Sequence, residues 1–192
     1  MIKYIYLDIE TLGLNPLKEK VIAVGVWAEG NEMLVDVMFN EDERQLLLEV
    51  QNFFLSPIIR KSVMITYNGD AFDVPYLVTR GVVCRVDMSF LLDVMHVDFM
   101  WLIQKYMVKS YKLKPKLHDF AEVCGMKYED KITGKGIPLL YETRLFDEIK
   151  KHCASDVSLM MKLADIGEIK QLIKIDLKRR YKYVNLEESE SL

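Results

Sequence analysis

Residues 2–9 alternate in the two-residue period of a strand, with Ile5, Leu7 and Ile9 on one face and Tyr4, Tyr6, Asp8 and Glu10 on the other. Residues 12–16 (Leu-Gly-Leu-Asn-Pro) form a turn cluster. Residues 21–28 read as a second strand, residues 29–31 as a tight connection and residues 33–39 as a third strand, which completes a meander. The period then lengthens. Leu46, Leu47, Val50, Phe53 and Phe54 follow helical spacing over residues 42–55, and Pro57 ends the run.

Residues 62–67 form a short strand that stops at Asn68-Gly69. A helix is predicted from residue 72 or 73 to residue 80, with Pro75 in its first turn and Gly81 beyond its end. Residues 94–97 read as a strand leading into an apolar helix over 99–107, and residues 116–124 as a short helix closed by Gly125. The glycines and charges of 127–136 suggest a surface loop. Helices over 144–165 and 168–183 follow. Residues 1–184 therefore read as one α/β domain, a mixed sheet of about five to six strands flanked by helices. Residues 185–192 read as an acidic, disordered tail.

The chain has 192 residues, enough to bury a full core, and no apolar run of membrane-spanning length. Cys84, Cys124 and Cys153 form no CxxC pair, which argues against a disulfide framework or a structural zinc site. A reducing, cytoplasmic setting is the default expectation. With 26 Lys plus Arg against 29 Asp plus Glu, bulk positive charge cannot hold nucleic acid, so any such binding needs local patches.

Three segments carry candidate chemistry. In Asp8-Ile9-Glu10 the carboxylates sit at i and i+2, so both leave one face of a strand end. Such a pair repels itself unless a cation lies between them, and Mg²⁺ favours oxygen donors of this kind. A solvated edge pair is the rival reading. The segment Ile65-Thr66-Tyr67-Asn68-Gly69-Asp70-Ala71-Phe72-Asp73-Val74-Pro75-Tyr76-Leu77 reads either as a strand, a turn and a capped helix, or as a turn that aims Asp73 at the same cleft. His152 and Asp156, four apart, share a helix face.

Together these motifs resemble the three exonuclease motifs of the DEDD superfamily, most closely the proofreading domain of archaeal-type family B DNA polymerases. The resemblance covers about residues 3–165 and extends to His96-Val97-Asp98 and the helix before Gly125. It implies an RNase H-like fold and 3′–5′ exonuclease activity by a two-metal-ion mechanism. Two divalent ions, Mg²⁺ or Mn²⁺, would be held by Asp8, Glu10, Asp73 and Asp156. By the same resemblance Asp70 is not a ligand. His152 stands where the polymerase-like subgroup carries tyrosine, whereas another subgroup carries histidine one residue earlier, at the position of Lys151. His152 would either accept the proton of the attacking water or only hydrogen-bond it.

The expected substrate is single-stranded DNA with a free 3′ end, with RNA an open alternative. Thr11, Leu12, Tyr67, Asn68 and Phe72 are candidates for contacting the terminal nucleotides, and Phe72 has the stronger reading as core. Lys105, Lys109, Lys112, Lys114 and Lys116 form one basic cluster. Lys170, Lys174, Lys178, Arg179, Arg180 and Lys182 form a second. With Tyr106, Tyr111, Tyr181 and Tyr183 among them, the clusters read as strand-guiding surfaces, or more blandly as solvated faces. No palm, fingers or thumb segment is present, so any polymerase or repair partner is expected to act in trans. No membrane association is expected. A catalytically impaired module that binds nucleic-acid ends is the alternative function, as is an RNA-directed exoribonuclease.

Overall fold

The computed structural model describes residues 3–29, 35–56, 59 and 62–181. The start of the third expected strand and the acidic tail lie outside these residues. Five strands form one mixed sheet: β1 (Tyr4–Thr11), β2 (Val21–Ala28), β3 (Asp36–Phe39), β4 (Val63–Thr66) and β5 (Met95–Asp98), in the order β3-β2-β1-β4-β5. β1, β2 and β3 pair antiparallel, while β4 joins β1, and β5 joins β4, in parallel. The carboxyl ends of β1, β4 and β5 thus lie along one edge of the sheet, where open α/β sheets place their sites.

Both faces of the sheet are covered. Ile5, Leu7 and Ile9 pack with Leu46, Leu47, Val50 and Phe54 of α1 (Glu43–Leu55) and Leu77 of α2 (Asp73–Cys84). Tyr6, Val63, Ile65 and Val97 pack on the opposite face with Val157, Met160 and Leu163 of α6 (Phe146–Ala164) and Ile173 and Leu177 of α7 (Gly167–Arg180). The odd and even positions of β1 therefore serve two different cores. Asp8 and Glu10 share the parity of Tyr6 and so lie on the α6 side.

A buried ion pair ties the first layer together. Glu43 accepts the Val21 N–H at 2.8 Å and both Nε and Nη2 of Arg80, linking α1, β2 and α2. α2 runs through Gly81 to Cys84 instead of stopping before Gly81, and Arg85 at φ 56° closes it. Gly81 answers a need for space: a Cβ there would lie 2.6 Å from Met88 Cγ and 2.7 Å from the Val86 carbonyl.

The apolar segment after β5 begins as α3 (Phe99–Leu102) and widens into a π-helical turn over Ile103–Met107. Asp98 caps it, accepting the N–H groups of Met100 at 2.9 Å and Trp101 at 3.3 Å. α4 (Leu117–Val123) follows. The expected loop over 127–136 leads into a helix that the glycine-rich run concealed, α5 (Ile137–Glu142), seated by buried Ile137. Among the described residues no helix is long and apolar enough to cross a membrane.

Candidate active site

The strand end of β1 and the face of α6 approach unusually closely because Gly25 lies opposite Asp8 in the β1–β2 ladder. A Cβ at Gly25 would come within 2.8 Å of Cys153 Sγ and 3.0 Å of Val157 Cγ2. Cys153, fully buried, sits with Sγ 3.8 Å from the Asp8 carbonyl oxygen and 3.9 Å from its Oδ2. The three cysteines are free thiols.

Asp8, Glu10, Asp73 and Asp156 converge on this edge. Burial raises the carboxyl of Asp8 well above the ordinary range, and the negative charges of Glu10, Asp156 and Asp73 push it further. Glu10 is raised in the same way, by burial first and then by Asp156, Asp73 and Asp130. Asp73, at the first turn of α2, is pushed up to about 7 by burial, although its own backbone N–H and that of Ile9 oppose the shift. Glu10 and Asp73 are buried, whereas Asp8 and Asp156 are partly exposed towards the opening.

His152 is buried beside this cluster. Its Nε2 lies 3.7 Å from Glu10 Oε1 and its Nδ1 2.8 Å from Asp130 Oδ2. A carboxylate has no hydrogen to give, so Nδ1 is the donor and the imidazole is oriented by Asp130.

The donor set fits a hard divalent cation: oxygen atoms at high negative charge density, on rigid elements, whose mutual repulsion a cation would relieve. Donor atoms of Asp8, Glu10 and Cys153 lie within 4.8 Å of one another. Asp156 stands outside that grouping. Its Oδ1 accepts the Tyr128 hydroxyl at 2.5 Å and faces His118 Nε2 at 3.0 Å.

The second motif is arranged as a scaffold around the cleft. Asn68 takes a left-handed conformation, φ 65°, which its short amide tolerates. Its N–H and that of Asp70 donate to the two oxygens of Asp98, at 2.9 and 3.1 Å. Asp70 turns away from the cleft to His96 Nδ1 at 2.8 Å, and this bond holds its carboxyl below the usual value.

Four of the expected nucleotide contacts, Tyr67, Thr11, Leu12 and Phe72, also make contacts within the protein. The Tyr67 hydroxyl donates to the Pro115 carbonyl at 2.7 Å, pinning the lysine-rich segment against the second motif. The Thr11 hydroxyl donates to the Gly13 carbonyl at 2.7 Å. Leu12 packs with Ile22, Ile137 and Ile149. Phe72 packs against the α1 side of the core, its ring 5.2 Å from that of Tyr76.

The two basic segments meet in space through Lys105 and Arg180, which both pair with Asp176; Lys182 and Tyr183 lie outside the described residues. Asp176 Oδ1 lies 3.4 Å from Lys105 Nζ and accepts the Tyr106 hydroxyl at 3.0 Å, and its Oδ2 accepts Arg180 Nε at 2.6 Å. Lys105 Nζ sits 3.9 Å above the Trp101 ring, and Arg180 stacks on the same ring at 4.6 Å.

Sequence reasoning missed His118, Tyr128 and Asp130. A weak signal existed: Met126, Tyr128 and Ile132 alternate with Lys127, Glu129 and Lys131, a two-residue period that places Asp130 on the apolar side, and the structure leaves that side partly buried and the other exposed.

Comparison with known proteins agrees with the fold. A search of curated proteins finds no match. Among solved structures, the family B DNA polymerase from the hyperthermophilic archaeon Pyrobaculum calidifontis aligns with a TM-score of 0.72 at 18% identity, over 86% of this chain and 24% of that one. The chain therefore spans about a quarter of the polymerase's length, and at this identity the likeness is one of fold. A family model described as the RNase_H superfamily matches residues 5–168. RNase H-like nucleases generally use divalent metal ions, in keeping with the donor set above. The chain belongs to the RNase H superfamily.

Proposed function

We propose that the protein is a metal-dependent 3′–5′ exonuclease acting on single-stranded nucleic acid, with DNA the favoured substrate. The convergence of Asp8, Glu10, Asp73 and Asp156 at one strand edge carries this reading. Holding four carboxylates together without a cation costs stability, which a scaffold lacking metal chemistry would have no reason to bear.

Two divalent ions held by these four residues, Mg²⁺ or Mn²⁺, would supply an activated water and offset charge at the scissile phosphate. The chain's own groups do the rest. His152, held by Asp130, presents Nε2 to the cleft beside Glu10, where it takes the proton of the attacking water or orders that water by a hydrogen bond. The water oxygen bonds to phosphorus and the bond from phosphorus to the 3′ oxygen breaks. The departing oxygen gains a proton, leaving a shortened strand with a 3′ hydroxyl and a free nucleoside 5′-monophosphate.

The deep position of Glu10 and Asp73 favours a single strand, because the terminal phosphate must reach the floor without a paired strand beside it. The lysine-rich segment that Tyr67 pins at Pro115, joined to α7 where Lys105 and Arg180 share Asp176, gives the incoming strand a positive flank. Thr11, Leu12, Tyr67, Asn68 and Phe72 are the residues proposed to contact the last nucleotides through backbone and ring surfaces.

The test uses 5′-labelled single-stranded DNA and RNA, and the same DNA with its 3′ end paired. Stepwise shortening of the single strand, faster on DNA and slowed by pairing, is expected. Internal cuts in place of a ladder would refute the exonuclease assignment, and faster shortening of RNA would reassign the substrate.

A further inference from the structure

A chain of contacts runs from Glu10 on β1 through α6 and the segment after α4 to His118 on α4. His152 Nε2 lies 3.7 Å from Glu10, and His152 Nδ1 is 2.8 Å from Asp130 Oδ2. The Tyr128 hydroxyl is 3.5 Å from the same Asp130 oxygen and 2.5 Å from Asp156 Oδ1. His118 Nε2 then approaches Asp156 Oδ1 at 3.0 Å. The His118 and Tyr128 rings stack, with centroids 3.7 Å apart and planes inclined by 28°. All of His118, Tyr128 and Asp130 come from outside the three motifs, from α4 and the extended segment after it.

We infer that His118, Tyr128 and Asp130 are positioning residues, with His118 and Tyr128 fixing the Asp156 carboxylate for cation binding and Asp130 orienting His152. The inference rests on the metal-dependent reading proposed above. Both donors fall on Oδ1 of Asp156, so its rotation is fixed and Oδ2 is left for a cation. Because the two rings stack, neither donor can swing away without separating from the other. A carboxylate that ligates metal is ordinarily held by such outer hydrogen bonds, and losing one costs about 10–100-fold in metal affinity. The same stretch of chain thereby sets two residues of α6 one turn apart: Asp156 through Tyr128 and His152 through Asp130.

The test reads Mn²⁺ binding to the free protein by the electron paramagnetic resonance signal of unbound Mn²⁺, with no nucleic acid present. Tyr128→Phe keeps the stacked ring and removes the hydroxyl, and His118→Phe keeps a ring and removes the donor. Each is expected to weaken Mn²⁺ binding about 10-fold, with a urea midpoint close to that of the native protein. In an Asp156→Asn background, itself weakened, Tyr128→Phe is expected to add nothing. Unchanged or tighter Mn²⁺ binding in both ring variants, while Asp156→Asn still loses affinity, overturns the positioning role and leaves the metal reading standing. Native affinity in Asp156→Asn overturns the metal reading and this inference with it.

Discussion

Glu10 Oε1 and His152 Nε2 face each other at 3.7 Å, with the far nitrogen of the imidazole fixed by Asp130 at 2.8 Å. An imidazole held in one tautomer beside a cluster of acids is placed to handle a proton. His152→Ala should lower kcat about 100-fold or more, the usual contribution of a positioned acid–base group, with Mn²⁺ affinity changed far less. A kcat within threefold of native would remove His152 from the chemistry.

Asp73 predicts an inverted pH dependence for the metal-free protein. Its folded-state carboxyl is pushed up to about 7, against about 4 in an unfolded chain. The unfolded chain thus gives up a proton that the folded chain keeps. This contribution to stability is full below about pH 4 and is lost as pH rises through about 7. Asp8 and Glu10 shift in the same direction. Asp70 and Asp130, shifted downward, act oppositely, at lower pH. Urea melts in a chelator should therefore show less stability at pH 8 than at pH 5.5. Asp73→Asn should gain on the order of 1–3 kcal/mol at pH 8 while abolishing activity. Equal stability at the two pH values in the native protein would contradict this.

Gly25 is where the packing of α6 on the sheet meets the site. Adding a Cβ 2.8 Å from Cys153 Sγ forces α6 away from Asp8. Gly25→Ala should cost about 1–3 kcal/mol in stability, the range for overpacking a filled core. It should also slow hydrolysis, since His152 and Asp156 move with the helix. An alanine variant as stable and as active as the native protein would show that the contact relaxes freely.

Lys109, Lys112 and Lys114 are exposed on the segment that Tyr67 pins at Pro115. Replacing all three with glutamate should weaken binding to a single-stranded oligonucleotide, measured by fluorescence anisotropy with Ca²⁺. The slope of log affinity against log salt should become shallower by about 2, the share of three phosphate contacts on a single strand. Native affinity at low salt would take this segment out of the strand path.

The parts of the site that obey a short period were legible in the sequence. The two-residue alternation of β1 put Asp8 and Glu10 on one face, and the four-residue spacing of His152 and Asp156 put both on one face of α6. What stayed hidden depends on contacts between distant segments. Gly81 reads locally as a helix stop, yet the helix continues because the returning chain at Val86 and Met88 needs the space. Gly134 and Gly136, just before α5, concealed a helix that buried Ile137 anchors. Tyr128 and Asp130 lay in what reads as a charged loop, and only the approach of α6 gives them partners. The bond from the Tyr67 hydroxyl to the Pro115 carbonyl, 48 residues on, is likewise a long-range contact that no local pattern announces.

If the four-carboxylate edge hydrolyses a strand from its 3′ end with divalent metal, loss of one carboxylate or of the metal must stop the reaction. Mononucleotide release from single-stranded DNA, compared between the native protein and Asp8→Ala with Mg²⁺ or Mn²⁺ and again with chelator, tests it most directly. The native protein with metal should release nucleoside 5′-monophosphates, and neither Asp8→Ala nor the native protein with chelator should release any. Equal release by Asp8→Ala, or no release from the native protein with either metal, would contradict it.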